Sequence, residues 1–186
     1  MKPLLPLLIL TAFMMPLSVC AEDVEARTIE KIGSYDSRSV AIAFMGSEVY
    51  KKTRGKLLTT KMAEHKKAKE EGDKQKIKEL EAWGKAQQQL LHKQGFGTEA
   101  VTDILAHISD QLPGIKKKAK VDLLISKWDT KALASHEGVP TVDITLRLIE
   151  AFKPTEKQKK SALEIQEKEP VPSAKLKNHA KSPKGK

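Results

Sequence analysis

The chain has 186 residues, a formal net charge of +10, 31% charged residues and only 4% aromatic residues. So few aromatic side chains exclude a large globular core, and the high charge content favours long exposed helices around one modest domain. The single cysteine, Cys20, excludes a disulfide framework within the chain.

The N-terminus has the pattern of a secretory signal. Lys2 precedes an uncharged, Leu-rich stretch over residues 3–19, and the small residue Ala21 precedes the acidic Glu22. These are the positive region, the apolar region and the cleavage site of an export signal. We therefore expect cleavage after Ala21, so that residues 1–21 are removed and the exported chain begins at Glu22.

Two other interpretations of this segment remain open. A membrane anchor needs about 20 apolar residues, whereas this stretch is shorter and is interrupted by Pro6 and Pro16. The segment from Leu17 to Cys20 loosely resembles the lipidation motif of bacterial lipoproteins, although Val19 stands where that motif has a small residue.

The first predicted elements after the signal are a strand and a long helix. Residues 31–35 are predicted to form a short strand, and Asp36 or Ser37 is a suitable N-cap for the following helix. Helix formers continue over residues 39–71, with apolar residues at roughly helical spacing. Gly72 and Asp73 then combine a helix-ending glycine with a new N-cap, so we expect the chain to reverse direction there.

The returning half is predicted to be helical over residues 74–94 and to break at residues 95–97, which read Gly-Phe-Gly. Thr98 is predicted to cap a new segment. Its apolar stripe is regular and therefore belongs in the core: Val101, Ile104, Leu105, Ile108, Leu112 and Ile115.

The next predicted elements are two strands. Residues 121–128 are the strongest strand in the sequence, and residues 131–135 are predicted to form a second short strand after a turn. Asp143 is then predicted to cap a helix that ends near Phe152.

The C-terminal part is predicted to add one helix and a basic tail. A capping box over residues 155–158 predicts a helix through residues 153–169, and a disordered tail is predicted from residue 170 to residue 186. Residues 171–186 hold five lysines and no acidic residue.

Two short motifs resemble the Skp/OmpH family of periplasmic chaperones. Residues 32–38, Ile-Gly-Ser-Tyr-Asp-Ser-Arg, are similar to the family's opening strand and the start of its first helix. Residues 121–128, the loop after them and residues 143–145 are similar to the closing strand pair and the final helix. The resemblance covers about residues 29–152.

This resemblance implies a mostly α fold with a small β-sheet body and a long helical hairpin, the arm, inserted between strands. It implies a body over residues 29–38 and 119–152 and an arm over residues 39–118, within a domain that spans residues 22–152. The strands near Ile32 and Leu123 would then be neighbours. The residues expected to build the body strands and the oligomer are Ile32, Tyr35, Val121, Leu123 and Ile125.

The resemblance also implies a function and partners. It implies a periplasmic holdase that forms a homotrimer and binds unfolded outer-membrane proteins with its arms. Between residues 51 and 69 the outgoing helix carries eight cations against Glu64 alone, and long cationic side chains can cover apolar client segments while attracting acidic ones. The predicted client-binding residues are Lys51, Lys52, Arg54, Lys56, Lys61, Lys66, Lys67 and Lys69.

The alternative function is a structural or tethering protein of the envelope. In that case the arm is a spacer, and the Lys-rich tail contacts an anionic membrane surface or polymer. No aromatic residue is interleaved with the basic residues of the tail, so the sequence predicts no specific binding of nucleic acid.

The sequence offers no catalytic or metal-binding motif, so we predict that the protein is not an enzyme and has no cofactor. No two of the five histidines have the i, i+4 spacing of a helical metal pair. Residues 95–97 lack the third glycine and the Lys-Ser/Thr end of a phosphate loop. A nucleophile site at residues 36–38 would need a base, and nothing in the sequence brings His92 near them.

Overall fold

The structure, a computed structural model, describes residues 28–176. The predicted signal, with Cys20, and residues 177–186 lie outside the described residues. The described part is mostly helical with one small sheet. Its strands are β1 (Ile32–Tyr35), β2 (Leu123–Ser126) and β3 (Thr141–Asp143). Its helices are α1 (Ser37–Gly46), α2 (Glu48–Tyr50), α3 (Lys56–Glu71), α4 (Lys74–Phe96), α5 (Thr102–Leu105), α6 (Leu112–Ala119), α7 (Thr130–Ala134), α8 (Thr145–Ala151), α9 (Glu156–Glu164) and α10 (Ser173–Leu176).

The sheet is entirely parallel, with β1 between β2 and β3. Ile32 pairs with Leu123 on one side and with Thr141 on the other. The predicted pairing of the strands near Ile32 and Leu123 is therefore confirmed. Because all three strands run in the same direction, their carboxyl ends meet at one edge, directly before α1 and α8.

One predicted strand is wrong. Residues 131–134 belong to α7 and Ser135 is its C-cap. The third strand is instead β3, which ends at the predicted helix cap Asp143. The alternation of Lys, Ala, Leu and Ala looks like a strand, but the Asp129 carboxylate accepts a hydrogen bond from the Ala132 backbone N–H (3.0 Å) and caps a helical turn.

The single helix predicted over residues 39–71 is also wrong, because the chain breaks after α1. Ser47 has an extended backbone (φ −83°, ψ 160°) and its hydroxyl accepts from the Tyr50 N–H. A π-helical turn over Lys51–Gly55 then leads into α3. Ser47 thus ends one helix and caps the next, which lets α1 pack into the body while α3 takes another direction.

The core lies where α1, the segment after α4, and α8 pack together. Its fully buried residues are Val40, Ala41, Ala43, Phe44, Val101, Ile104, Ile108, Ile144, Leu148, Ile149 and, from α9, Ala162. Burial of the stripe after residue 98 confirms that this segment belongs to the core. The predicted arm over residues 39–118 is therefore too long, because both ends of that range belong to the core.

The C-terminal segment is part of this body. The predicted capping box is present: Thr155 and Gln158 exchange hydrogen bonds at the start of α9. Gln158 Nε2 also donates to the Gly46 carbonyl oxygen (2.6 Å), which ties α9 to the end of α1.

The disordered tail was predicted to begin at residue 170, but residues 170–176 pack on the end of α4. The Val171 N–H donates to the Phe96 carbonyl oxygen (2.8 Å), and Leu176 is buried. The apolar side chains of Val171 and Leu176 explain the difference, because they can be buried against α4.

Candidate functional site

Helices α3 and α4 form an antiparallel hairpin whose turn follows the predicted chemistry. Gly72 has a left-handed backbone (φ 71°) and ends α3, while the Asp73 carboxylate accepts a hydrogen bond from the Lys76 N–H (2.9 Å) and starts α4. At 1.5 Å per residue, α3 is about 24 Å long. Of residues 56–90 only Ala68 and Leu80 are buried, so most of the hairpin surface is exposed.

The hairpin exposes apolar side chains as well as charged ones. Met62 is 64% exposed, Leu57 is 47% exposed and Leu58 is 38% exposed. Single exposed apolar residues are ordinary, but a cluster on one element marks an interaction surface. The cluster borders an apolar depression of about 200 Å³ between the two helices, named here the hairpin pocket. The residues that line it are Leu58, Lys61, Met62, His65, Leu80, Glu81, Trp83 and Gly84.

Gly84 lines the hairpin pocket. It lies in the interior of a 23-residue helix, and a Cβ added there would meet no other described atom within 4 Å. Glycine at such a position destabilises a helix by about 1 kcal/mol relative to alanine. Gly95 is different, because an added Cβ would lie 3.1 Å from the Met45 side chain. Packing explains Gly95, whereas no contact among the described residues requires glycine at position 84.

The eight predicted client-binding cations differ in their surroundings. Lys61, Lys66 and Lys67 lie within 4 Å of acidic residues one turn further along α3, and Lys51 contacts Glu48. Such exposed pairs contribute little and leave the charge accessible. Three cations are exposed and form no ion pair with any residue of 28–176: Lys52, Lys56 and Lys69.

Arg54 holds the base of the hairpin to the body. Its guanidinium forms an ion pair with Asp103 and lies 5.6 Å from the centre of the Phe44 ring. Its side chain is only 20% exposed. Among the eight predicted residues, Arg54 is therefore the one whose charge is already engaged within the fold.

The predicted strand residues lie in or beside the sheet. Ile32 and Tyr35 are the first and last residues of β1, and Leu123 and Ile125 belong to β2. Val121 is buried just before β2.

A buried ion cluster joins the carboxyl ends of the strands. The Asp36 carboxylate accepts hydrogen bonds from Arg38 Nη2 (2.8 Å), Arg38 Nε (3.1 Å) and Trp128 Nε1 (3.1 Å), and it forms an ion pair with Lys127 Nζ (2.8 Å). The Asp36 N–H donates to the Thr145 hydroxyl (3.0 Å). A single aspartate thus connects the ends of β1 and β2 to the starts of α1 and α8.

The electrostatics of this cluster favour a charged aspartate. Burial raises the pKa of Asp36, but hydrogen bonds from Arg38, Lys127 and Trp128 outweigh it and lower the pKa to about 2. Arg38 also donates to the Lys168 carbonyl oxygen (2.7 Å), so the cluster reaches the C-terminal segment. Asp36 and Arg38 are both fully buried, which makes this a structural ion pair.

The sequence predicts Asp36 as a helix cap but does not identify its partners. They could have been predicted from a parallel sheet, because the residues that follow parallel strands lie at the same edge, and Lys127, Trp128 and Thr145 follow β2 and β3 as Asp36 follows β1. His92, considered as a base for residues 36–38, lies instead on α4 beside Phe96, with ring centres 6.0 Å apart.

A cavity of about 440 Å³ lies beside β2, and its mixed lining includes Tyr35, Leu124, Asp129 and His136. Burial, followed by the nearby charge of Asp129, raises the pKa of the Tyr35 hydroxyl. Residues 28–176 contain no cluster of three or more potential metal ligands. Within that range, no helix combines the length and the hydropathy needed to cross a bilayer.

Comparison with protein-family models, with curated proteins and with solved structures gave no match for this chain.

Proposed function

We propose that this chain is a periplasmic holdase of the Skp/OmpH type that binds unfolded outer-membrane proteins with the α3–α4 hairpin as its arm. The observation that carries the proposal is the exposure of Leu57, Leu58 and Met62 on a strongly cationic hairpin. Residues 51–96 contain thirteen Lys or Arg and six Asp or Glu, a net charge of +7. The hairpin and the turn that leads into it thus hold most of the chain's excess positive charge.

This combination suits an unfolded client better than a folded one. An unfolded chain presents apolar side chains and acidic residues in no fixed geometry, so it requires accessible apolar surface and mobile charges rather than a shaped cleft. Lysine stems can lie along apolar segments while their ammonium groups attract acidic residues. Binding of this kind is weakened by salt, because exposed charges are screened.

The sheet supports the same proposal. β1 lies in the centre, so β2 and β3 are the edges, and each has only three or four residues. An edge strand has one row of backbone N–H and C=O groups that is not paired within the sheet, and another chain can pair with it. We propose that three copies assemble through the body, so that three arms surround one client.

Charge reversal on the arm tests the function. We expect the chain from residue 22 to suppress the aggregation of a urea-unfolded outer-membrane barrel after dilution, measured by light scattering. The triple variant Lys52→Glu, Lys56→Glu, Lys69→Glu should need several-fold more protein for half-maximal suppression. The matched control reverses three exposed body lysines, Lys117, Lys118 and Lys131, and should behave like the native chain at the same net charge.

Sedimentation of the chain with and without the unfolded barrel measures the assembly. A monomer that suppresses no aggregation would overturn the proposal. Equal losses in both triple variants would show a general charge effect and would remove the arm from the mechanism.

Tethering by the basic tail is the second candidate. Because Leu176 is buried against α4, the tail beyond it begins at the base of the hairpin. Truncation after Leu176 removes Lys177, Lys181, Lys184 and Lys186. A holdase should retain its suppression of aggregation after this truncation, whereas a tether should lose its binding to anionic vesicles.

A further inference from the structure

We propose that the hairpin pocket binds one large apolar side chain of an unfolded polypeptide, preferably an aromatic ring, from a segment that also carries acidic residues. This inference rests on the proposed function, because it names the chemistry of the client segment that the arm would hold.

The size and lining of the pocket fit an aromatic ring. The volume is about 200 Å³, and an apolar cavity of about 150 Å³ is large enough to bind benzene. Met62 and Trp83 provide a flexible thioether and a flat aromatic face, which adapt to rings and branched side chains alike. A pocket of this size therefore holds one side chain, and the rest of the client remains on the surface of the hairpin.

Gly84 is the lining residue at which the pocket can be altered with least disturbance. No described atom lies within 4 Å of the position of its absent Cβ, so a side chain can be introduced there without a clash. Because glycine weakens the helix that contains it, a larger residue would also favour α4.

Charge selects the occupant. Lys61 and Glu81 both line the pocket, so the selection comes from the wider surface of the hairpin, residues 56–96, which has a net charge of +4. Acidic residues beside the inserted ring would be attracted, whereas a basic segment would be repelled. The same charge argues against a second copy of the hairpin as the occupant, because the two hairpins would repel each other.

The test uses labelled unstructured peptides and the chain from residue 22. One peptide has a single Phe flanked by Asp, a second has Ala in place of that Phe, and a third has Lys in place of Asp. Binding is measured by fluorescence anisotropy for the native chain and for Gly84→Leu, whose side chain fills the pocket. Because leucine is a better helix former than glycine, this variant should fold. The matched control is Gly114→Leu in α6, where an added Cβ also meets no atom within 4 Å.

We expect Gly84→Leu to weaken binding of the Phe peptide at least tenfold and Gly114→Leu to change it less than twofold. Replacing Phe by Ala in the peptide should cause a similar loss in the native chain, with little further loss in Gly84→Leu. The Lys peptide should bind more weakly than the Asp peptide.

Equal binding of the Phe peptide by the native chain and Gly84→Leu would overturn the inference. So would equal binding of the Phe and Ala peptides, or a smaller assembly of Gly84→Leu in sedimentation, which would identify a second copy as the occupant. If Gly84→Leu still suppresses barrel aggregation fully, the pocket fails while the holdase stands. If the native chain binds the Phe peptide as described but suppresses no aggregation, the holdase fails while the pocket stands.

Discussion

Asp36→Asn tests whether the buried ion cluster holds the body together. The substitution keeps the shape of the side chain and an oxygen for the helix cap, but it removes the negative charge. Arg38 has only 1% of its side chain exposed and cannot be rehydrated, whereas Lys127 is 33% exposed and can turn to water. The loss of unfolding free energy therefore arises mainly from the unpaired charge of Arg38.

The expected magnitude follows from this burial. Leaving one charge of a buried pair without its partner costs about 3–5 kcal/mol. Unfolding in urea, analysed by linear extrapolation, should show a loss within that range. The control is Asp73→Asn at the exposed start of α4, where Asn is as good a cap as Asp and stability should change by less than about 0.5 kcal/mol.

The pH dependence provides an independent check of the same cluster. The pKa of Asp36 is lowered from 3.8 to about 2 in the folded chain. A lowered pKa means that the stabilisation is fully present above about pH 4 and is lost as the pH falls toward 2, by about 2 kcal/mol. The difference in unfolding free energy between the native chain and Asp36→Asn should therefore shrink by most of that amount between about pH 5 and about pH 2.

Two results would contradict this reasoning. One is a loss below about 1 kcal/mol for Asp36→Asn, which is the size expected of a surface pair. The other is a difference between the two proteins that stays constant over the acidic range.

Three further substitutions test the elements around the cluster, each by urea unfolding. Gly72→Ala forces a side chain into a left-handed backbone (φ 71°) and should destabilise the chain by about 1–2 kcal/mol; no loss would show that the turn relaxes. Gln158→Ala removes the capping box and the bond to α1 and should cost about 1–2 kcal/mol; an unchanged midpoint would refute the role of α9 in the body. Arg54→Met should lower the free energy of unfolding by about 1 kcal/mol, mainly at low salt, because the ion pair with Asp103 is lost. Lys52→Met, the control, should not change it measurably.

Turns and helix caps could be predicted from the sequence where all the residues that form them are close together in the chain. The reversal at Gly72 and Asp73 was predicted because a helix-ending glycine and an N-cap are adjacent, and the capping box at Thr155 was predicted for the same reason. Even the meeting of Ile32 and Leu123 followed from element order and the family resemblance.

The errors have a common cause. Residues 131–135 have the alternation of a strand, but Asp129 caps them as a helix. Residues 39–46 have a helical stripe, and periodicity does not reveal whether such a stripe faces a partner helix or a core. The pocket at Gly84 was missed because a glycine inside a helix looks the same in sequence whether its space is filled or open.

Residues only a few positions apart specify the helical character, the hairpin turn, the caps and the cationic nature of the hairpin, so these features can be predicted without the structure. The tertiary structure decided which helices are core, how Asp36 gathers Arg38, Lys127 and Trp128, and where an opening remains beside Gly84. These depend on side chains far apart in the chain, whose mutual distances only the packed fold sets.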